Sequence, residues 1–286
     1  MNRWVLGARP RTLPAAVVPV LVGTATAAGG GVHWWRAGVA MVVALAIQVT
    51  TNYLNDYSDG VRGTDDVRVG PVRLVASRLA TPAEVKRAAL LAAVVAAVAG
   101  LTLVPAVGPE VVVIGALSLA AGYFYTGGPM PYGYLGLGEV FVFLFFGVVA
   151  TAGSSYIQLD EVTLLALAAS VPVGFLATAL LVANNLRDIR TDGAAGKRTL
   201  AVRLGEPATR ALYSGLVVGA FLVLPVLALR RPLALLALLA IPLAARPVRL
   251  VSSAASGRNL VPALADTGRL SLGFGVLLAS GLALSA

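Results

Sequence analysis

Apolar residues in this chain come in runs of roughly 17 to 25, each ended by glycine, proline or charge, and that is the length a helix needs to cross a bilayer. None of the runs alternates polar and apolar residues as an outer-membrane strand does. In lipid each backbone N–H and C=O must find its partner inside the segment, so the expectation is an all-α, multi-pass membrane protein. Nine candidate spans fall at about 13–29, 36–56, 86–105, 110–126, 138–154, 162–186, 209–228, 233–250 and 268–285, the eighth interrupted by Pro242 and Pro247. Composition agrees: 58% of residues are hydrophobic and 12% charged, about half the charge of an ordinary soluble domain. No soluble domain or low-complexity tail stands out, and residues 1–286 read as a single transmembrane domain. Arg3, Arg9 and Arg11 precede the first run, but no small-residue cleavage site follows it, which predicts a retained helix rather than a signal peptide.

The net charge of +9 follows from topology. With the N-terminus in the cytoplasm, all of the 22 Lys and Arg residues except Arg36, Arg230 and Arg231 fall in or beside inner segments, the bias that orients membrane proteins. The active-site loops are then cytoplasmic and the C-terminus lies outside. The basic excess gives no reason to invoke nucleic acid. Cysteine is absent, which excludes a thiolate nucleophile, a disulfide and a Cys-ligated metal. His33, Trp34 and Trp35, at the outer edge of the second span, read as interface anchors.

Two polar clusters interrupt this pattern, and both sit at the inner end of a span. The first is Asn52-Tyr53-Leu54-Asn55-Asp56-Tyr57-Ser58-Asp59; the second is Asn184-Asn185-Leu186-Arg187-Asp188-Ile189-Arg190-Thr191-Asp192. Asn52/Asp56 and Asn184/Asp188 share a spacing of four, which puts amide and carboxylate on one helix face, and Asp59 and Asp192 extend those faces by about a turn. Each cluster precedes a basic loop, one with Arg68 and Arg73, the other with Lys197 and Arg198, so the chain reads as a parallel internal duplication of a helical unit. A lone Asn-x-x-x-Asp is most often a cap or a solvated helix end. A repeated pair on one side of a membrane needs compensating cations or a wet cavity, and intramembrane acids of that kind mark function. Oxygen ligands suit Mg²⁺, which is commonly held by a few carboxylates together with a substrate's phosphates, while nearby Lys and Arg meet the remaining phosphate oxygens.

Four segments carry a family resemblance: Ala8-Arg9-Pro10-Arg11-Thr12-Leu13-Pro14; Asn55-Asp56-Tyr57 through Arg68-Val69-Gly70-Pro71-Val72-Arg73; Tyr125-Thr126-Gly127-Gly128-Pro129 with Gly136-Leu137-Gly138-Glu139; and Asn184-Asn185-Leu186-Arg187-Asp188 through Gly196-Lys197-Arg198-Thr199-Leu200. Over about residues 4–205 the chain resembles the UbiA superfamily of intramembrane aromatic prenyltransferases, and within it the naphthoate-prenylating branch of menaquinone synthesis. The resemblance implies a UbiA-type bundle in which Asn52, Asp56, Asp59, Asn184, Asp188 and Asp192 hold Mg²⁺ on a polyprenyl diphosphate. It also implies that Arg68, Arg73, Lys197 and Arg198, with Asn52 and Asn184, meet the diphosphate. Asp56 and Asp188 would be the catalytic pair, whose removal should abolish transfer and leave the fold intact. The implied acceptor is 1,4-dihydroxy-2-naphthoate, which would lose its carboxyl group on the way to demethylmenaquinone. A different aromatic acceptor, such as 4-hydroxybenzoate or homogentisate, remains open, as does an ion-coupled transporter, although transporters place their sites nearer the midplane.

Overall fold

The computed structural model describes residues 2–64, 70 and 72–286, which are helical or irregular and contain no strand. A short α1 (Arg3–Ala8) leads through Arg9, at φ 53°, into α2 (Pro14–Thr26), and the two segments meet at 51°. Then come α3 (Trp34–Val61), α4 (Pro82–Leu101), α5 (Glu110–Thr126), α6 (Gly138–Leu159), α7 (Leu164–Ala194), α8 (Leu200–Ala228), α9 (Pro232–Ser252) and α10 (Gly257–Leu284). Among the described residues, six helices, α3 and α6 to α10, are long and apolar enough to cross a bilayer, or seven if the bent α1–α2 pair counts as one span. Of the remaining segments, α4 carries Glu84, Lys86 and Arg87 in its first turns and α5 is short.

Local chemistry accounts for the helix starts. Thr81 and Glu84 form a reciprocal capping box ahead of α4, with Pro82 in the first turn where its missing N–H costs nothing. Thr163 caps α7 and Thr199 caps α8, each accepting a backbone N–H with its hydroxyl. In α8 the backbone breaks at Gly205, and Pro207 restarts the helix.

The core is densest in the second half. There α7, α8, α9 and α10 close around Leu176, Val217, Leu224, Phe274 and Leu278, all essentially without exposure, and α10 also packs on α2. The first half is looser: α4 and α5 lean on α3 and turn Leu90, Leu91, Val94, Val98, Val113 and Leu117 outward, a surface suited to lipid. Where α6 meets α7 the path of α6 widens into a π-helical stretch, Phe143–Val149, at the point where Gly147 and Gly174 bring the two backbones together; a Cβ on Gly147 would lie 2.5 Å from the Gly174 Cα. That stretch turns Phe145, Phe146 and Val149 toward the space between α5 and α6.

Candidate active site

That space is a cavity of about 520 Å³. Its lining on α3 runs from Ala40 to Asp59, which at 1.5 Å per residue is about 28 Å, nearly a bilayer's thickness. Most of the wall is apolar. The end where α3 and α7 finish is polar, because Asn52, Asn55 and Asp59 face it from one helix and Asn184, Asn185, Asp188 and Asp192 from the other.

The expectation that two acidic helix ends meet is therefore met, through particular atoms. Asp59 is 1% exposed and Asp192 8%, and the Lys197 ammonium stands between them, 3.6 Å from an Asp59 oxygen and 4.0 Å from an Asp192 oxygen. Arg73 lies 3.8 Å from Asp59. Two carboxylates in so little water need this positive charge. The Tyr134 hydroxyl donates to Asp59 at 2.7 Å, and the Tyr134 ring carries Lys197 at 5.0 Å on one contact and Arg62 at 5.4 Å on another. Burial, reinforced by the Asp59 charge, raises the Tyr134 phenol well above its ordinary range, so the group stays a neutral donor. Arg62 in turn donates to the Thr126 and Gly128 carbonyls, which ties the end of α3 to the loop after α5.

The remaining expected residues are distributed less simply. Asp56 is fully buried but does not line the cavity: its carboxylate accepts the backbone N–H groups of Leu74 (2.8 Å) and Val75 (3.1 Å) and so seats the chain segment that carries Arg73. Asp188 does line the cavity, paired with Arg187 through two hydrogen bonds of 2.7 and 2.5 Å, and the same guanidinium reaches the Asn184 amide oxygen at 2.9 Å. Asn52 spends its amide hydrogens on the Ala8 carbonyl and the Thr12 hydroxyl, which leaves its oxygen as the atom to offer. Arg198 is exposed and away from the cavity; what it contributes inside is a backbone N–H to the Tyr134 carbonyl. Arg68 lies outside the described residues.

Some site residues were not anticipated. Asn55 accepts from Thr126, and Asn185, part of the cavity wall, donates its amide nitrogen to the buried Glu139 carboxylate at 2.9 Å, which leaves its oxygen as the atom to offer. A signal for the first was available. Asn55/Asp59 has the same spacing of four as Asn52/Asp56, shifted by three residues, and neighbouring positions 55 and 56 diverge by about 100° around the helix. The overlap of two such elements on α3 hid which residues face the site; the fold turns Asn52, Asn55 and Asp59 to the cavity and Asp56 away from it.

The donor set fits magnesium. The candidate metal donors at the polar end are carboxylate and amide oxygens from two helices, and among the described residues no three His, Cys, Asp or Glu side chains gather into a ready metal cage. That suits an ion which binds through one or two carboxylates and completes its shell with phosphates and water. Beyond the charges, Tyr125, Tyr132, Phe141 and Phe145 form an aromatic wall, with Tyr132 stacked on Phe141 at 4.0 Å between centroids.

A buried anionic and cationic cluster at one end of a deep apolar cavity defines a membrane protein with a functional charged site. Comparison with known proteins gives the family. The UbiA prenyltransferase family model matches residues 16–259, and the chain belongs to that family. It is 50% identical over 282 residues to the 1,4-dihydroxy-2-naphthoate octaprenyltransferase of Mycobacterium tuberculosis, covering 98% of this chain and 97% of that one. It is 37% identical to the enzyme of the same name from Escherichia coli K12, over 77% and 74% of the two chains. A solved UbiA homologue from Archaeoglobus fulgidus, bound to GPP and Mg²⁺, superposes with a TM-score of 0.71 over 98% of this chain and all of that one; at 14% identity this likeness speaks for the fold. The all-helical architecture and the family together make this an integral membrane protein.

Proposed function

We propose that this protein transfers a polyprenyl group from a polyprenyl diphosphate to 1,4-dihydroxy-2-naphthoate, with release of diphosphate and carbon dioxide, to give demethylmenaquinol, the reduced form of demethylmenaquinone. One observation carries the reading: Lys197 stands between Asp59 and Asp192, at the polar end of a channel otherwise built for a hydrocarbon chain. The name shared by the relatives, across nearly the whole of both chains in the first, supports the choice of acceptor over 4-hydroxybenzoate or homogentisate.

In this reading Lys197 and Arg73 meet the diphosphate oxygens, and the tail lies along α3 between α5 and α6. Asp59, Asp188 and Asp192, with the amide oxygens of Asn52 and Asn185, would hold magnesium, and Asn184 would approach the diphosphate; Asp56 acts one layer behind by seating the Arg73 segment. Bound magnesium would supply charge neutralisation for the departing diphosphate. When the carbon–oxygen bond of the donor breaks, its electron pair leaves with the diphosphate, where Lys197 and Arg73 stabilise the added charge. The allylic carbon left electron-poor faces the aromatic wall of Tyr125, Tyr132 and Phe141, whose ring faces favour positive charge and exclude water. The electron-rich naphthoate ring then forms the new carbon–carbon bond, and loss of the carboxyl group returns electrons to the ring. The same reading takes nine spans, the bent α1–α2 pair and α3 to α10, keeps the parallel duplication, and sets the N-terminus and charged end in the cytoplasm, the side that the Lys and Arg distribution favours.

The test is release of diphosphate by purified protein in detergent, with prenyl diphosphate, with and without 1,4-dihydroxy-2-naphthoate, and with magnesium present or chelated. Prenylated, decarboxylated product appearing only with acceptor and magnesium supports the proposal. Turnover without magnesium, or none with this acceptor, sinks it.

A further inference from the structure

The channel has a second end, and its construction is specific. Opposite the polar cluster, α6 finishes beside the start of α5, and there the Tyr156 hydroxyl donates to the Glu110 carboxylate at 2.6 Å. Tyr156 is also part of the cavity wall, at the level of Leu101, Val111 and Ile157. One side chain therefore both bounds the channel and bonds the two helices that flank it. Two further features hold this corner. Arg36 donates to the Ile157 carbonyl at 2.8 Å and to the Ala106 carbonyl at 3.0 Å, joining the end of α6 to the α4–α5 connection. Gly108 stands at φ 140°, where side-chain-bearing residues rarely sit, and a Cβ there would come within 2.5 Å of the Glu110 carboxylate oxygens. The turn before α5 is thus shaped to let Glu110 fold back.

We propose that Tyr156, held by Glu110, is the stop at the far end of the tail channel and so determines which prenyl chain lengths the enzyme prefers. The inference rests on the prenyl-transfer reading above. A diphosphate fixed at Lys197 and Arg73 sets the position of the first isoprene unit, and each further unit extends toward Tyr156. Tails that end short of it lie within the cavity. Longer tails must displace the ring or leave between α5 and α6, and the Tyr156–Glu110 bond closes that route at its outer end. An apolar pocket discriminates between homologous chains mainly through the fit of the last groups, so a change at the stop should act on the tail end and not on the chemistry.

The experiment sets geranyl diphosphate against octaprenyl diphosphate in competition, with the full chain in nanodiscs and 1,4-dihydroxy-2-naphthoate as acceptor, and reads the ratio of kcat/KM for the long donor to that for the short. Tyr156→Trp should lower this ratio by about tenfold and Tyr156→Ala should raise it by a similar factor. Gly108→Ala, which disturbs Glu110 from outside the cavity wall, and Tyr156→Phe, which removes the bond to Glu110, should each raise it less. An unmoved ratio in the active variants, including Gly108→Ala, overturns the stop. If the wild-type protein converts neither donor, the prenyl-transfer reading falls instead, whereas good turnover with an unmoved ratio removes the stop alone.

Discussion

The two acidic helix ends look alike in sequence and are used differently. On α3 the carboxylate at position 56 is turned away from the cavity and serves the backbone of Leu74 and Val75, and Asp59, one turn later, meets the cations. On α7 the carboxylate at position 188 stays in the cavity wall but shares the Arg187 guanidinium with Asn184, and Asp192 reaches Lys197. Asp56 is held by the loop that follows its helix, Asp188 by a residue of its own helix. The same residue types can thus supply structure or chemistry, according to which backbone and which cation the fold brings against them.

The sharpest break of this comparison is a set of alanine variants. Asp59→Ala and Asp192→Ala should each lower turnover by at least about 100-fold, the scale of losing a charged group from a preorganised site, with the fold retained, because Lys197 keeps a carboxylate partner in either variant. Asp56→Ala should also lose turnover, but as an unstable protein: two buried N–H groups lose their acceptor, at about 1–3 kcal/mol each. This revises the expectation that Asp56 can be removed with the fold intact. Thermal unfolding followed by scanning fluorimetry in detergent decides it, and an Asp56→Ala protein as stable as the parent would undo the distinction between the two ends.

A smaller effect probes how the α7 end is oriented. Glu139→Gln lets the Asn185 amide turn over, and Asn185→Asp sets two buried carboxylates side by side; each should cost about tenfold in turnover, the scale of one hydrogen bond to a charged group. When both substitutions are combined, the amide introduced on α6 can donate to the carboxylate introduced on α7. An oxygen then faces the cavity again, and activity should recover above either single change. A double variant no better than the weaker single one would mean that Glu139 does not act by presenting that oxygen.

The smallest contrast lies within one loop. Lys197→Ala should raise the donor KM by about tenfold, as expected for loss of a charge-assisted phosphate contact. Arg198→Ala, exposed and outside the cavity, should change it by less than about twofold. Steady-state kinetics with varied prenyl diphosphate separates them, and equal effects would place Arg198 nearer the substrate than its exposed side chain suggests.

Much of this was legible without coordinates. Long apolar runs force helices because lipid offers no hydrogen bonds, and the uneven distribution of Lys and Arg sets which helix ends share a side. Acids at two such ends, with bases following, already defined a charged site at one end of an apolar bundle. What the chain order alone left undecided was which acids face one another. Asn52/Asp56 and Asn55/Asp59 satisfy the same spacing rule, and only the tilt of α3 against α7, together with the return of residues 72–75 onto Asp56, separates them. The Glu139–Asn185 bond and the Tyr156–Glu110 stop joined residues 46 positions apart in each case, so no local pattern could announce them. Periodicity is a property of one helix, whereas the facing of two helices depends on packing between them, and that is what the tertiary structure decided.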